Sequence, residues 1–337
     1  MISQSSVIQA SEDLEMYRGV RSTKRRFTPS WSWSHAKAAS RVLSAIQWAD
    51  VVHYHYGGSY GIPYGIDVAW ARMLKRPLLI SFWGSDIRIP EIESELNPYF
   101  AKRDRSHERW SCEIDRKTSR EIQLRYARRG FTCVLGSETM QPYIQADIFP
   151  THELVRGSID TREIEPRYPL PGRRPIVVHS PSNPEVKGTQ AVQAAVDRLK
   201  RDRGIDFDFF LVKDMPRRQA LDLLREADVF LDQFVLGGYG MAAIEAMAFG
   251  KAVVCYCSPT IKSLYPADLP IVVANQDDLA DRLGELLTDA DRLAGVGRRC
   301  RAYVEKYHDA HKNAQQLISI YRKLQTRKEK TEAGVLP

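Results

Sequence analysis

Asp232-Gln-Phe-Val-Leu-Gly-Gly-Tyr-Gly-Met-Ala-Ala-Ile-Glu-Ala-Met-Ala-Phe-Gly-Lys-Ala-Val-Val254 is the stretch whose pattern decides the fold. An apolar strand, Val229 to Asp232, runs into a loop that contains Gly237, Gly238 and Gly240. That loop opens a helix of small apolar residues whose one charge is Glu245. Glycines just before a helix let backbone N–H groups approach a phosphate, and the helix N-terminus favours its negative charge. A carboxylate within a buried helix is costly unless something donates to it, and a ribose diol offers two donors. The pattern implies a nucleotide site. A tight strand–helix turn with a hydrogen-bonded core Glu is the competing reading.

Outward from this stretch, short apolar runs alternate with helical patterns, the signature of βα units in a parallel sheet. Towards the N-terminus, Val51–His55 precedes Gly57-Gly58, Leu78–Phe82 precedes Trp83-Gly-Ser-Asp86, and Phe131–Leu135 precedes Gly136-Ser137. Open α/β sheets place ligands in the loops that follow their strands. A Pro- and Arg-rich break, residues 161–175, reads as a linker. Beyond it come strands at Ile176–His179, Phe207–Val212, Ala252–Cys257 and Ile271–Val273. A helix runs through Lys200, another spans Arg217–Ala227, and one helix is expected over Asp277–Tyr307. A last helix, Lys312 to Arg327, repeats Leu317, Ile320, Tyr321 and Leu324 at helical spacing, which predicts docking across the linker onto the first domain.

Composition narrows the function classes. A chain of 337 residues suits two domains. It has no apolar run of 18 residues to cross a membrane and no basic-then-apolar leader. Five cysteines at irregular spacing, with only Cys255 and Cys257 paired on one strand face, read as core thiols of a cytoplasmic protein, with no metal site. The net charge of +7 fits a polyanionic partner or a membrane surface. Residues 102–129 hold ten Lys or Arg against five acids, on a predicted helix over Trp110–Arg129, so peripheral contact with anionic lipid at the inner membrane face is one expectation and a solvated helix the other. No nucleic-acid module is visible. Residues 1–45 offer a basic cluster (Arg18 to Arg26) and an amphipathic helix around Ala36–Trp48, but not the strand and Gly-rich turn that open a dinucleotide-type domain.

Lys187-Gly188-Thr189 follows the polar loop Ser180–Asn183, and Thr189 is placed to cap the helix after it. A cation beside free helical N–H groups makes a pyrophosphate cradle. With Gly238-Tyr239-Gly240 and Glu245-Ala-Met-Ala-Phe-Gly250, this combination resembles glycosyltransferase family 4, the group 1 glycosyltransferases of GT-B fold, and more closely its bacterial surface-polysaccharide members. The resemblance covers about Val51 to Leu324. It implies an acceptor-side domain over 1–160, a linker over 161–175, a donor domain over 176–310 and a helix over 311–327 that crosses back. It implies retaining transfer of a hexose from a UDP- or GDP-linked sugar to a saccharide or lipid-linked acceptor, with no cofactor. Lys187 and Gly188 with the Gly238–Gly240 amides would meet the diphosphate, and Glu245 the ribose. The family's sugar-contacting first Glu falls at Gly237, and Lys251-Ala252 replaces the usual x-Pro. Asp86 is expected at an acceptor hydroxyl or the donor sugar, with Gly57, Gly58, Ser85 and His55 as cleft residues. Two other readings stay open: a degenerate transferase acting as a nucleotide-binding partner subunit, and a nucleotide-sugar epimerase of the same fold.

Overall fold

The computed structural model describes residues 29–57, 62, 65–102 and 114–332. The basic cluster at 18–26, Gly58 and the first residues of the predicted 110–129 helix therefore lie outside the described residues. The chain divides into two compact units, residues 1–54 with 59–78 and residues 55–58 with 79–337.

The smaller unit contains α1 (Pro29–Trp48), most of β1 (Val52–His55) and α2 (Ile66–Met73). Ile46, Ile62, Val68 and Ala71 form its buried apolar residues. The Tyr54 hydroxyl donates to Asp67 Oδ2 at 2.7 Å, and the Ile62 amide donates to the same oxygen at 3.3 Å. A buried carboxylate thus ties strand to helix.

In the larger unit, β2 (Leu78–Phe82) leads through α3 (Pro90–Leu96), α4 (Pro98–Ala101) and α5 (Arg116–Ala127) to β3 (Phe131–Leu135) and β4 (Glu153–Leu154). The start of α5 is set by Asp115, which accepts from the Thr118 amide at 2.7 Å. β3 and β4 pair in parallel, with Val134 opposite Glu153. The Tyr56 amide extends this sheet by donating to the Ser81 carbonyl at 2.9 Å. Gly57 is required for that approach, because a Cβ there would stand 2.7 Å from the Phe82 ring.

A second sheet carries the rest of the unit. Its strands are β5 (Ile176–His179), β6 (Asp208–Leu211), β7 (Val229–Leu231), β8 (Ala252–Cys255) and β9 (Val272–Val273). They are all parallel, in the order β6-β5-β7-β8-β9. Between and after them run α6 (Pro184–Lys187), α7 (Thr189–Arg201), α8 (Arg217–Glu226), α9 (Met241–Ala248), α10 (Pro259–Leu264), α11 (Leu279–Thr288), α12 (Ala290–Tyr307) and α13 (Ala310–Glu332). β7 and β8 are buried throughout, which explains their continuous apolar sequence.

Two local expectations are corrected. The helix expected over Asp277–Tyr307 is two helices, broken at Asp289, whose backbone is extended (φ −120°, ψ 90°) and whose side chain caps α12 through the Arg292 amide at 2.9 Å. Thr189 does not cap α7: Gly188 precedes it in left-handed conformation (φ 73°), and the Thr189 hydroxyl faces His179 Nε2 at 3.0 Å. The other expectation, a linker over 161–175, is not overturned: the segment is a connection held by hydrogen bonds. Arg301 donates to the carbonyls of Thr161, Ile164 and Ala248 at 2.6–2.8 Å, and the Arg167 amide donates to the Phe249 carbonyl at 2.9 Å.

The end of the chain returns to the first sheet. The Ile159 amide donates to the His308 carbonyl and the Ala310 amide to the Ile159 carbonyl. On α13, Asn313 Nδ2 reaches the Arg156 carbonyl at 3.0 Å, and Gln316 Nε2 reaches the Leu154 carbonyl at 2.8 Å. Ile320 on the predicted apolar stripe is buried, while Leu317, Tyr321 and Leu324 are half-buried.

Candidate functional site

The loops after the strands converge on a cavity of about 230 Å³ within the larger unit. One wall is the glycine loop, Gly237 to Met241, and the other is Gly136 to Thr139 with Trp83 and Arg88. Glu93, Arg156, Gln233 and His308 add to the polar lining.

The glycine loop is held from below. β7 ends at Leu231, so the next residue, Asp232, emerges at the carboxyl edge of the sheet. Its side chain is 1% exposed. Asp232 Oδ1 accepts from Lys187 Nζ at 2.6 Å, and Oδ2 accepts from the Gly240 amide at 2.7 Å. Lys187 closes α6, whose start is capped by Asn183 through the Glu185 and Val186 amides. The Lys187 carbonyl accepts from the Phe234 amide at 3.1 Å, and a Cβ at Gly188 would stand 3.1 Å from Phe234 Cβ. Lys187 and the loop are therefore brought together, as the sequence implied, but the lysine and the Gly240 amide meet a carboxylate of the chain itself.

Glu245 departs from its expected surroundings. It lies on α9 one residue past Ile244, which lines the cavity, yet it is only half-buried. Its Oε1 accepts from Arg217 Nη2 at 2.6 Å, and the arginine side chain is 75% exposed. The charge in the apolar helix is thus relieved at the surface by the first residue of α8. Neither Lys187 nor Glu245 is part of the cavity lining.

Space around the loop explains its composition. A Cβ at Gly237 would lie 2.9 Å from the Ser258 Cβ and hydroxyl, and one at Gly238 would lie 2.6 Å from Thr139 Cγ2 and from the Tyr265 hydroxyl. The Gly237 position, where the family resemblance expects a glutamate, has no room for one in this arrangement. Tyr239 is buried, stacked on Tyr265 at 4.7 Å between ring centroids. Its hydroxyl donates to His308 Nε2 at 3.0 Å, and His308 Nδ1 donates to the Gly157 carbonyl at 2.7 Å. This fixes a neutral imidazole, and burial lowers its pKa to about 4.

The remaining sequence candidates resolve differently. Asp86 is fully engaged with its own loop, accepting from the amides of Gly57 (2.9 Å), Trp83 (3.1 Å) and Gly84 (2.8 Å). It is 2% exposed, the short carboxylate bonding backbone near itself. Ser85 Oγ lies 3.2 Å from the Tyr56 hydroxyl. His55 is exposed, its ring 6.1 Å from that of Trp83. None of Asp86, Ser85, His55 and Gly57 lines the cavity. His179 at the end of β5 is wholly buried, donates from Nδ1 to the Leu231 carbonyl at 2.8 Å and has its pKa lowered by that burial.

Sequence reasoning missed the polar groups of the opposite wall. Glu138 is 1% exposed and accepts from Arg156 Nε at 2.6 Å. Glu93 accepts from the Tyr143 hydroxyl and, at 3.1 Å, from Asn97 Nδ2. Asn97 Nδ2 also donates to the Val235 carbonyl at 2.6 Å, clamping the start of the glycine loop to α4. The Gly136-Ser137 turn was a signal for Glu138, which follows it directly. Nothing in the spacing pairs Glu138 with Arg156. Among the described residues, no group of three or more His, Cys, Asp or Glu is arranged to hold a metal ion.

A parallel five-stranded sheet and a second sheet with a parallel β3–β4 pair, whose following loops line one cavity, are of GT-B type, and comparison with solved structures supports this. Sucrose-phosphate synthase from Thermosynechococcus elongatus superposes with a TM-score of 0.56 over 90% of this chain and 82% of that one, at 14% identity. HepE of Anabaena, solved in complex with UDP, gives 0.53 over 85% of this chain and 82% of that one, at 13% identity. At the sequence level, residues 192–319 match a family model described as glycosyl transferase-like. A D-inositol 3-phosphate glycosyltransferase of Corynebacterium urealyticum is 25% identical over 170 residues, which is 50% of this chain and 39% of that protein. The match thus spans well under half the length of that relative.

Proposed function

We propose that the protein is a group 1 glycosyltransferase of family 4, moving a hexose from a nucleotide diphosphate sugar to a saccharide or lipid-linked acceptor in the assembly of a surface polysaccharide. One observation carries this reading: Lys187 Nζ and the Gly240 amide, at the N-terminus of α9, converge on a single buried anion beside the cavity. A Lys and a helix N-terminus aimed at one point make an anion site, and such donors stabilise the charge that grows on a leaving diphosphate. With Lys187 and the loop amides in that role the chemistry proceeds without a metal, and with retention as in the family. Glu245 on the same helix would hold the ribose and fix the nucleotide's position. Residues 1–160 would serve the acceptor, 176–310 the donor, with 161–175 joining them and 311–327 crossing back. The UDP and UDP-glucose complexes of HepE support a nucleotide-sugar donor.

A thermal-shift and calorimetry panel of UDP, GDP, ADP and their sugars tests the reading. A nucleoside diphosphate should bind and raise the melting temperature, followed by sugar release or transfer on adding saccharide acceptors. No binding by any member of the panel would remove the nucleotide assignment. Tight binding with no turnover would favour the partner-subunit alternative, to which the tightly packed Gly237 lends some support.

A further inference from the structure

The two donors that define the anion site are already satisfied, and this sets how a ligand can use them. Asp232 spends one carboxylate oxygen on Lys187 Nζ and the other on the Gly240 amide. Its side chain is 1% exposed and that of Lys187 is 11% exposed, so the pair is screened little by water. A third weak donor, the Cys255 thiol, lies 3.9 Å from Oδ2. A carboxylate bridging a lysine and a helix N-terminus has the charge and the spacing of two phosphate oxygens.

We propose that Asp232 is a built-in competitor of the diphosphate. On binding, phosphate oxygens take over Lys187 Nζ and the Gly240 amide, and Asp232 is displaced from both. On release, Asp232 recaptures them. The inference rests on the glycosyltransferase reading of this site and adds to it a residue that sets nucleotide selectivity. A nucleoside alone cannot displace a buried carboxylate from two donors, whereas a diphosphate replaces it with charge of the same sign. The exchange asks the glycine loop to take a second position. Beside it, the buried hydroxyls of Ser258 and Tyr265 have no hydrogen-bond partner, Ser258 lying next to Gly237 and Tyr265 next to Gly238. They are acceptors and donors available to a second loop position, at a place where an unsatisfied buried group is otherwise unfavourable.

The test uses inorganic pyrophosphate, which needs no knowledge of the base, together with UDP and uridine. Asp232→Asn keeps the shape and removes the charge. It should bind pyrophosphate about tenfold tighter or more, as expected when a charge-assisted competitor is removed, with uridine affinity unchanged. Equal or weaker pyrophosphate binding by a folded Asp232→Asn protein overturns the proposal. Should that variant not fold, the wild-type protein decides. With glycine labelled by nitrogen-15 and the Gly240 resonance assigned by its loss in Gly240→Ala, saturating pyrophosphate should shift that resonance. A stationary Gly240 signal at saturation means that Asp232 keeps its donors, and the exchange is wrong. UDP binding with a stationary Gly240 signal sinks the exchange alone, whereas absence of any nucleotide or pyrophosphate binding takes the glycosyltransferase reading down with it.

Discussion

Glu245 is the residue to which the proposal gives the ribose, and its surroundings set the size of the expected effect. It is half-buried and shares its carboxylate with Arg217, so a ribose would compete with an exposed guanidinium rather than fill an empty acceptor. Glu245→Ala should weaken nucleoside diphosphate binding by about 10- to 100-fold, the loss of charge-assisted hydrogen bonds worth roughly 1.5–3 kcal/mol. Calorimetry on the folded variant measures this, and an unchanged dissociation constant would leave Glu245 as a plain surface ion pair. Gly237 gives a second residue-scale prediction. Gly237→Glu, which restores the residue that the resemblance expects, forces a Cβ to within 2.9 Å of Ser258. Overpacking of this kind is destabilising by about 1–3 kcal/mol. Pairing it with Ser258→Gly should recover part of the loss in urea unfolding, and a single variant as stable as the parent would show that the loop has another place to sit.

At this scale the sequence reveals what is local. Lys187, Gly240 and Glu245 stand out because each belongs to one strand–loop–helix segment with a chemical reason for its residue type. Asp232 reads from sequence as a strand end, since nothing in its own neighbourhood shows that Lys187, 45 positions earlier, will meet it. Arg217 and Glu245 are separated by 28 positions, and Glu138 and Arg156 by 18, with no periodicity linking either pair. The order of strands in the two sheets creates these meetings. Asp86 is legible as a carboxylate at a strand end, but its partners are backbone amides, which no side-chain pattern displays.

Among the elements, α13 is the one whose role is most open to test. Its apolar stripe and its bonds through Asn313 and Gln316 fasten it to the segment after β4. The preceding turn adds the Ile159 and Ala310 amide bonds. Truncation before His311 should therefore remove the Asn313 and Gln316 bonds, leave those of His308 and Ala310, and expose the surface around Ile320. A lower melting temperature and a larger radius of gyration by small-angle scattering are expected. A truncated protein unchanged in both would show that the helix is dispensable. Conversion of a dimer into a well-folded monomer, read by light scattering, would reassign the stripe to self-association. The helical period was visible in sequence over Lys312–Arg327, whereas the break at Asp289 was not, because a single capping aspartate interrupts an otherwise continuous helical pattern.

For the whole molecule, the buried neutral His308 predicts acid sensitivity. Its pKa is lowered from 6.5 to about 4 by burial, so the unfolded chain binds the proton more readily than the folded one. The contribution is complete above pH 6.5 and is lost progressively as pH falls from 6.5 towards 4. It amounts to about 2–3 kcal/mol at the lower end. Urea midpoints for wild type and His308→Gln at pH 7 and pH 4.5 isolate it, since His179 and the carboxylates titrate in both proteins. Wild type should lose more stability across that interval than the variant. Equal losses would mean that His308 finds a proton-compatible position in the fold.

The side chain of Asn97 has a consequence for recombining this protein with its relatives. It caps α4 through the Tyr99 and Phe100 amides and, in the same geometry, holds the Val235 carbonyl at the root of the glycine loop. Tyr99 beside it reaches Asp277 at 2.6 Å and packs edge-on against Tyr256. A few atoms at the start of α4 are thus a mould for the loops that follow β7, β8 and β9. A chimera that borrows its first half from another protein of this fold should lose stability in the glycine loop unless the graft also supplies an asparagine and a tyrosine at these two places. Reinstating them in a failed hybrid is a repair made at the root of the glycine loop, not in the loop itself.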